Sequence, residues 1–156
     1  MSETAKPHAM SLRLKVLELY AEVDREVADA GPVCVASGRC CRFKDWGHTL
    51  FLSNLEAEVL LAAAPAYDLP VTPDFCPFQH DKLCSAREPR PLGCRVYYCD
   101  PAYQERSHAI TEKYIGRLKA LAEEHRIAWR YAPLHVFLNE NAEPRGPSAA
   151  NVRGQA

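Results

Sequence analysis

Apolar residues near the start of the chain recur at helical spacing, with charged residues between them. The repeating set is Leu12, Val16, Leu19, Val23 and Val27. Leu14, Leu17 and Tyr20 widen this apolar face, and Gly31-Pro32 follows it as a pair that ends helices. The pattern predicts an amphipathic helix over residues 10–30 that packs against the rest of the domain.

The next segment shows a strand pattern followed by a helix start. Residues 48–52 (His-Thr-Leu-Phe-Leu) have the composition of a strand. Ser53 and Glu56 have the spacing of a capping box, in which each side chain accepts a hydrogen bond from the other residue's backbone N–H. They predict a short helix that runs to about Ala64 and ends before Pro65.

A second long helix begins where Asp100 offers an N-cap and Pro101 occupies the first helical position. Its apolar stripe consists of Tyr103, Ile110, Tyr114, Leu118 and Leu121. The pattern extends to about Arg126, which makes this the longest predicted helix. Residues 127–138 then favour one or two short strands, or a turn of helix around Pro133.

The stretch between the helices is rich in proline. Residues 65–91 contain six of the twelve prolines, a density that excludes long helices and favours loops. Such a segment makes few backbone ladder bonds, and a bound metal would supply the missing constraint. The predicted fold is therefore α+β and mainly helical. It is a small, irregular, metal-stapled domain over residues 1–138, whose loop-rich cysteine core is flanked by an N-terminal helix and a long C-terminal helix. Residues 139–156 lack large apolar side chains beyond one valine and are predicted to form a disordered tail.

Composition and charge exclude several classes of protein. The 156 residues are 47% hydrophobic and 25% charged, and the formal net charge is -1, so neither a nucleic-acid partner nor a membrane partner is expected. No stretch approaches the roughly 20 consecutive apolar residues of a membrane span. Residues 1–6 show no apolar signal segment, so we expect a cytoplasmic protein.

The cysteines are the strongest indication of chemistry. All seven lie in the middle of the chain, and an odd number in a cytoplasmic protein disfavours a disulfide framework. They are Cys34, Cys40, Cys41, Cys76, Cys84, Cys94 and Cys99. Thiolates that bind one metal must converge on one point, so their confinement predicts a metal site.

The spacing of the cysteines excludes the common motifs. No C-x2-C step is present, which disfavours zinc ribbons, RING-type knuckles and thioredoxin motifs. Neighbouring Cys40 and Cys41 diverge too much to share one tetrahedral metal easily. Seven cysteines exceed the four ligands of a single metal, so either a larger cluster is formed or His48 or His80 completes a site.

Several cations near the cysteines would favour thiolates by lowering the thiol pKa. They are Arg39, Arg42, Lys44, Lys82, Arg87, Arg90 and Arg95. Cys99 also lies just before the predicted N-cap, where the helix dipole favours an anion. Taken alone, these cations are more simply interpreted as ordinary surface charges, which are balanced by Asp45, Asp74, Asp81 and Glu88.

Four cysteine-containing segments then follow one another along the chain in a recognisable order. They are Cys40-Cys41-Arg42-Phe43, Phe75-Cys76-Pro77-Phe78, Cys84-Ser85-Ala86-Arg87-Glu88 and Arg90-Pro91-Leu92-Gly93-Cys94-Arg95. Over about residues 34–100 the chain resembles the CxxCxxCC-type cysteine-cluster family, described as zinc- or iron-chelating proteins. The resemblance implies metal ligation by Cys34, Cys40, Cys41, Cys76, Cys84 and Cys94. Ser37 stands where the family's opening motif has its second cysteine, and Cys99 is a candidate replacement.

The expected function follows from the site. Thiolates suit zinc and iron–sulfur clusters alike, and the surplus of cysteines favours an iron–sulfur cluster or iron with a redox or electron-transfer task. The alternative is a structural zinc protein that binds a protein partner. Because HExxH, phosphate-binding loop and GxGxxG motifs are all missing, we expect a binding protein rather than an enzyme.

Overall fold

The computed structural model describes residues 2–32, 49–80, 83–98 and 100–141, with side chains from residue 10 onward. In this part the chain forms five α-helices, one 3₁₀ helix and two small antiparallel sheets. The elements are α1 Ser2–Ala30, β1 Phe51–Ser53, α2 Asn54–Ala63, β2 Gln79–His80, β3 Leu83–Cys84, α3 Leu92–Val96, the 3₁₀ helix Pro101–Tyr103, α4 Gln104–Glu124, β4 Tyr131–Pro133 and α5 Leu134–Glu140. The prediction of a mainly helical α+β fold is confirmed.

The two long helices, α1 and α4, pack against each other. α1 begins at Ser2 rather than at residue 10, and its 29 residues make it longer than α4, which has 21. Ion pairs join the two helices in antiparallel order, from Lys15 with Glu124 at 3.0 Å to Arg117 with Glu22 at 2.8 Å. No helix in the described ranges is long and apolar enough to cross a membrane.

A helical core fills the space between α1, α2, α3 and α4. Its buried residues are Leu12, Val16, Leu19, Tyr20, Val23, Val27, Leu55, Val59, Leu92, Val96, Tyr103, Ile110, Tyr114, Leu118, Leu121 and Ala122. The predicted apolar stripes of both long helices therefore face this core. Tyr20 belongs to it, whereas Leu14 and Leu17 lie exposed, so the prediction that they widen the packed face of α1 is wrong.

The β1–β4 pair connects the segment that leads into α2 with the segment that leads into α5. Phe51 lies opposite Pro133, and Ser53 lies opposite Tyr131. The predicted strand near residues 48–52 is displaced towards the capping box, and the segment around Pro133 forms a strand followed by α5. α5 reaches Glu140 and so enters the predicted tail, whereas residues 142–156 lie outside the described residues.

A second hydrophobic cluster holds the proline-rich segment. Its buried residues are Leu50, Leu52, Ala57, Leu60, Ala64, Tyr67, Val71, Cys76, Phe78, Ala86, Leu134, Phe137 and Leu138. Asn139 donates to the Val71 carbonyl at 2.9 Å and accepts from the Val71 N–H at 2.7 Å, and the Tyr67 hydroxyl donates to the Leu138 carbonyl at 2.9 Å. These hydrogen bonds to the end of α5 therefore constrain the proline-rich segment, a role for which the sequence predicted only a bound metal.

Candidate metal centre

Three of the seven predicted ligands lie in the described part of the chain, and all three contact the second hydrophobic cluster. Cys76 is buried within it, and Cys84 and Cys94 pack against it half-buried. Cys76 precedes β2, Cys84 ends β3 and Cys94 lies on α3, and all three are thiols rather than disulfides. The other four, with the candidate ligand His48, lie outside the described residues. They are Cys34, Cys40, Cys41 and Cys99.

A small hairpin connects Cys76 and Cys84. The Cys76 carbonyl accepts a hydrogen bond from the Gln79 N–H at 3.2 Å, and Gln79 lies directly opposite Cys84 in the β2–β3 pair. Both the N–H and the hydroxyl of Ser85 donate to the Phe78 carbonyl at 2.7 Å, which closes the hairpin. The two cysteines are therefore attached to one local unit although seven residues separate them.

Cys94 lies on α3, in the Arg-Pro-Leu-Gly-Cys-Arg motif. Pro91 is the N-cap of this short helix, and its carbonyl accepts from the Cys94 N–H at 3.0 Å. A Cβ on Gly93 would lie 2.7 Å from Leu50 Cδ1, so a larger residue would force the Leu50 side chain to shift, and glycine suits this close approach of α3 to the segment before β1. The motif thus fixes the backbone that carries the thiol.

Arg95, the residue after Cys94, is 6% exposed and binds inward. Its Nη1 donates to Asp24 Oδ2 at 2.9 Å, its Nε donates to the Arg90 carbonyl at 2.9 Å, and its Nη2 donates to the Glu88 carbonyl. The guanidinium carbon also lies 4.2 Å from the centre of the Tyr20 ring. Arg95 therefore ties α3 and the preceding loop to α1.

Glu56 belongs to the same buried network and contacts the start of α3. The predicted capping box is present, because Glu56 Oε2 accepts from the Ser53 N–H at 2.8 Å while Ser53 Oγ accepts from the Glu56 N–H at 3.3 Å. Glu56 Oε1 accepts from the Leu92 N–H at 2.7 Å and from the Tyr20 hydroxyl at 3.4 Å. Burial raises the pKa of the Glu56 carboxyl, and these hydrogen bonds oppose the rise. One carboxylate thus joins α1, α2 and α3.

Arg90 interacts electrostatically with Cys94 and with two further arginines. Burial lowers the pKa of Arg90, and the neighbouring charges of Arg95 and Arg87 lower it further, whereas Asp24 and Cys94 favour its charged form. Arg95 itself is engaged with Asp24 and two carbonyls. Of the seven cations predicted to favour thiolates, these three lie in the described part, and the other four lie outside the described residues. Those four are Arg39, Arg42, Lys44 and Lys82.

A cavity of about 270 Å³ opens beside Cys94. Its lining consists of Thr49, Leu50, Phe51, Gly93, Cys94, Tyr97 and Tyr131. Thr49 is the first described residue after the stretch 33–48, which carries three more cysteines. Thr49, the described residue next to that stretch, therefore lines the same cavity as Cys94.

Tyr103 has a buried hydroxyl with no hydrogen-bond partner among the described residues. Burial and the neighbouring Tyr98 raise the pKa of this hydroxyl to about 12, so it is a donor at neutral pH. The two rings pack edge to face with their centres 5.7 Å apart. Tyr103 follows Cys99 by four residues, and a thiolate or sulfide is an acceptor for such a donor.

The three described cysteines do not form a complete site by themselves. Within residues 2–32, 49–80, 83–98 and 100–141, no three or more His, Cys, Asp or Glu side chains form a group that could hold a metal ion. His80, at the end of β2, is exposed. A metal site of the predicted kind therefore needs thiolates from both the described and the remaining segments.

Comparison with known protein families, with curated proteins and with solved structures gives no match. The resemblance to the cysteine-cluster family therefore rests on the sequence motifs alone.

Sequence reasoning missed the network that positions Cys94. In the sequence, Arg95 is one of several cations near a thiol, and Glu56 is half of a local capping box. Two features of the sequence indicate a structural role: Arg95 lies inside a cysteine motif, and Glu56 lies at the start of an apolar helix. Neither feature identifies Asp24 or the Leu92 N–H as the partner.

Proposed function

We propose that this chain is a metal-binding protein whose cysteine thiolates hold an iron–sulfur cluster or iron, and that its task is redox chemistry or electron transfer. The observation that supports the proposal is that Cys76, Cys84 and Cys94 all contact one hydrophobic cluster, two of them from the unit around the β2–β3 hairpin and the third from α3. Core packing alone gives no reason for such a set in a chain whose cysteines are all confined to its middle.

The surroundings of Cys94 suit an anionic centre. The thiol of Cys94 packs against an apolar cluster, and the charge of Arg90 lies near it. Positive charge near a cysteine favours the thiolate, which is the form that binds metals. Because Arg95 and Glu56 fix α3 at both ends, the thiol of Cys94 is held in a defined position before any metal binds.

The donor set fits an iron–sulfur cluster. Such a cluster takes four thiolates, and Cys76, Cys84 and Cys94 would be joined by ligands from Cys34, Cys40, Cys41 and Cys99. A bound cluster would supply the one-electron chemistry. The buried Tyr103 hydroxyl, which has no hydrogen-bond partner among the described residues, is a candidate donor to a sulfur atom of such a cluster, and such bonds set the reduction potential.

A second candidate is a structural zinc site on a module that binds a protein partner. The supporting observation is the β2–β3 hairpin, whose strands have only two residues each. A hairpin of that length is marginal without further support, and a metal held by Cys76 and Cys84 would supply it.

Metal analysis of anaerobically purified protein separates the two candidates. We expect a brown protein that contains iron and acid-labile sulfide and absorbs visible light, with the colour bleached by dithionite. A colourless protein with one zinc per chain would instead support the structural candidate. Protein that contains neither metal after anaerobic purification and reconstitution would contradict both.

Alanine variants identify the ligands. Cys76→Ala, Cys84→Ala and Cys94→Ala each remove a thiol from the second hydrophobic cluster, and Val71→Ala removes apolar volume from the same cluster without touching a thiol. We expect the cysteine variants to lose most of the bound metal and Val71→Ala to keep the wild-type amount. Wild-type metal content in all three cysteine variants would show that these thiols are not ligands.

A further inference from the structure

Helix α1 carries a second apolar face that the described part of the chain leaves exposed. Met10, Leu14 and Leu17 are 61%, 55% and 41% exposed, and Ala21 continues the same row. At 100° per residue the centre of this row lies roughly 140° around the helix from the stripe that faces the helical core. We call the row Met10, Leu14, Leu17 and Ala21 the outer face of α1.

The outer face has the spacing of a coiled-coil seam. Its members follow one another at steps of four, three and four residues, which is the a/d pattern of two heptads. Asp24, at the next seam position, is bound to Arg95 at 2.9 Å. The apolar row therefore ends at Ala21 and is about 16 Å long, as 12 residues of α-helix are.

Opposite charges flank the outer face. Arg13 precedes Leu14 on one side of the row, and Glu18 follows Leu17 on the other side, five residues further on. In a parallel pair of helices these are the g and e′ positions, which contact each other across the seam. Glu18 makes no ion pair within the described part of the chain, and Arg13 reaches only Glu58, at 4.0 Å between half-exposed side chains.

We propose that the outer face is the interface between two copies of this chain, whose α1 helices pair in parallel. The charges argue for a second copy rather than another partner, because a two-fold pair places each Arg13 against the Glu18 of the other chain. The same helix thus supplies both halves of the complementary pattern. Because the seam spans only two heptads, the dimer dissociates readily and its formation depends on protein concentration.

Sedimentation velocity over a range of concentrations tests the apolar seam. We expect wild-type protein to shift from monomer to dimer as its concentration rises, and the double variant Leu14→Lys/Leu17→Lys to stay monomeric. Leu83→Lys is the matched control, since Leu83 is 66% exposed on β3, and it should dimerise as the wild type does. Circular dichroism confirms that the variants keep their helices. Wild-type protein that is monomeric at every concentration would overturn the proposal.

Charge reversal tests the parallel orientation. Arg13→Glu and Glu18→Arg each place like charges at both contacts, and we expect each to raise the dissociation constant by about tenfold at low salt. An equimolar mixture of the two variants restores opposite charges at both contacts and should dimerise as tightly as the wild type. A mixture no tighter than either variant alone would overturn the parallel pairing. Glu105→Arg, an exposed charge reversal on α4, is the control and should leave the dissociation constant unchanged.

Discussion

Removal of the Glu56 carboxylate is the sharpest test of the buried network that positions α3. The side chain is 1% exposed and accepts hydrogen bonds from the N–H and hydroxyl of Ser53, the N–H of Leu92 and the hydroxyl of Tyr20. In Glu56→Ala the two N–H groups lose this acceptor in a buried site. Each buried group without a partner costs about 1–3 kcal/mol.

The expected loss for Glu56→Ala is therefore about 3–5 kcal/mol of the free energy of unfolding, with the lost capping box included. Glu56→Gln keeps one acceptor oxygen but turns an amide NH₂ towards a backbone donor, so we expect a smaller loss of about 1–2 kcal/mol. For a domain of this size the larger loss is a substantial part of the total stability.

Urea unfolding followed by circular dichroism measures these losses. Glu58→Ala is the matched control, because Glu58 lies on the same helix and is half-exposed, with only a 4.0 Å contact to Arg13. We expect it to cost less than about 1 kcal/mol. A loss for Glu56→Ala as small as that of Glu58→Ala would refute the role of the carboxylate in holding α3.

Three further predictions concern pH, packing and redox chemistry. Burial raises the pKa of Glu56 in the folded protein above that of an unfolded glutamate. The contribution of Glu56 to the free energy of unfolding is therefore full below the unfolded pKa and is lost as pH rises through the folded pKa. The stability difference between wild type and Glu56→Gln, from urea unfolding at several pH values, should shrink as pH rises, and a constant or growing difference would contradict this. Gly93→Ala should cost about 1 kcal/mol in the same assay because its Cβ would lie 2.7 Å from Leu50 Cδ1, and Leu50→Ala should relieve that clash in a double-mutant cycle. Tyr103→Phe should leave the metal content unchanged and lower the reduction potential of the bound cluster, since it removes a donor to sulfur; an unchanged potential would exclude that hydrogen bond.

Features set by a few neighbouring residues could be predicted from the sequence. The capping box of Ser53 and Glu56 and the N-cap of Asp100 both depend on contacts within one turn, and both are present. The apolar stripe of α1 likewise identified its buried side. Its start at Ser2 was missed, because the first residues carry no apolar periodicity.

Features that depend on distant segments could not be predicted. Arg95 binds Asp24 across 71 positions, and Glu56 binds the Leu92 N–H across 36. The exposure of Leu14 also depends on how far the neighbouring helices reach around α1, which periodicity does not reveal. For the same reason, the seven clustered cysteines predicted a metal site, but they did not reveal that three of them contact one hydrophobic cluster.

Native mass spectrometry of anaerobically isolated protein tests the central claim most directly. We expect a native mass that exceeds the mass of the denatured chain by iron and sulfide, and we expect that excess to be lost in Cys94→Ala but kept in Val71→Ala. A native mass equal to that of the bare chain, or an excess that corresponds to zinc alone, would contradict the assignment of an iron–sulfur centre.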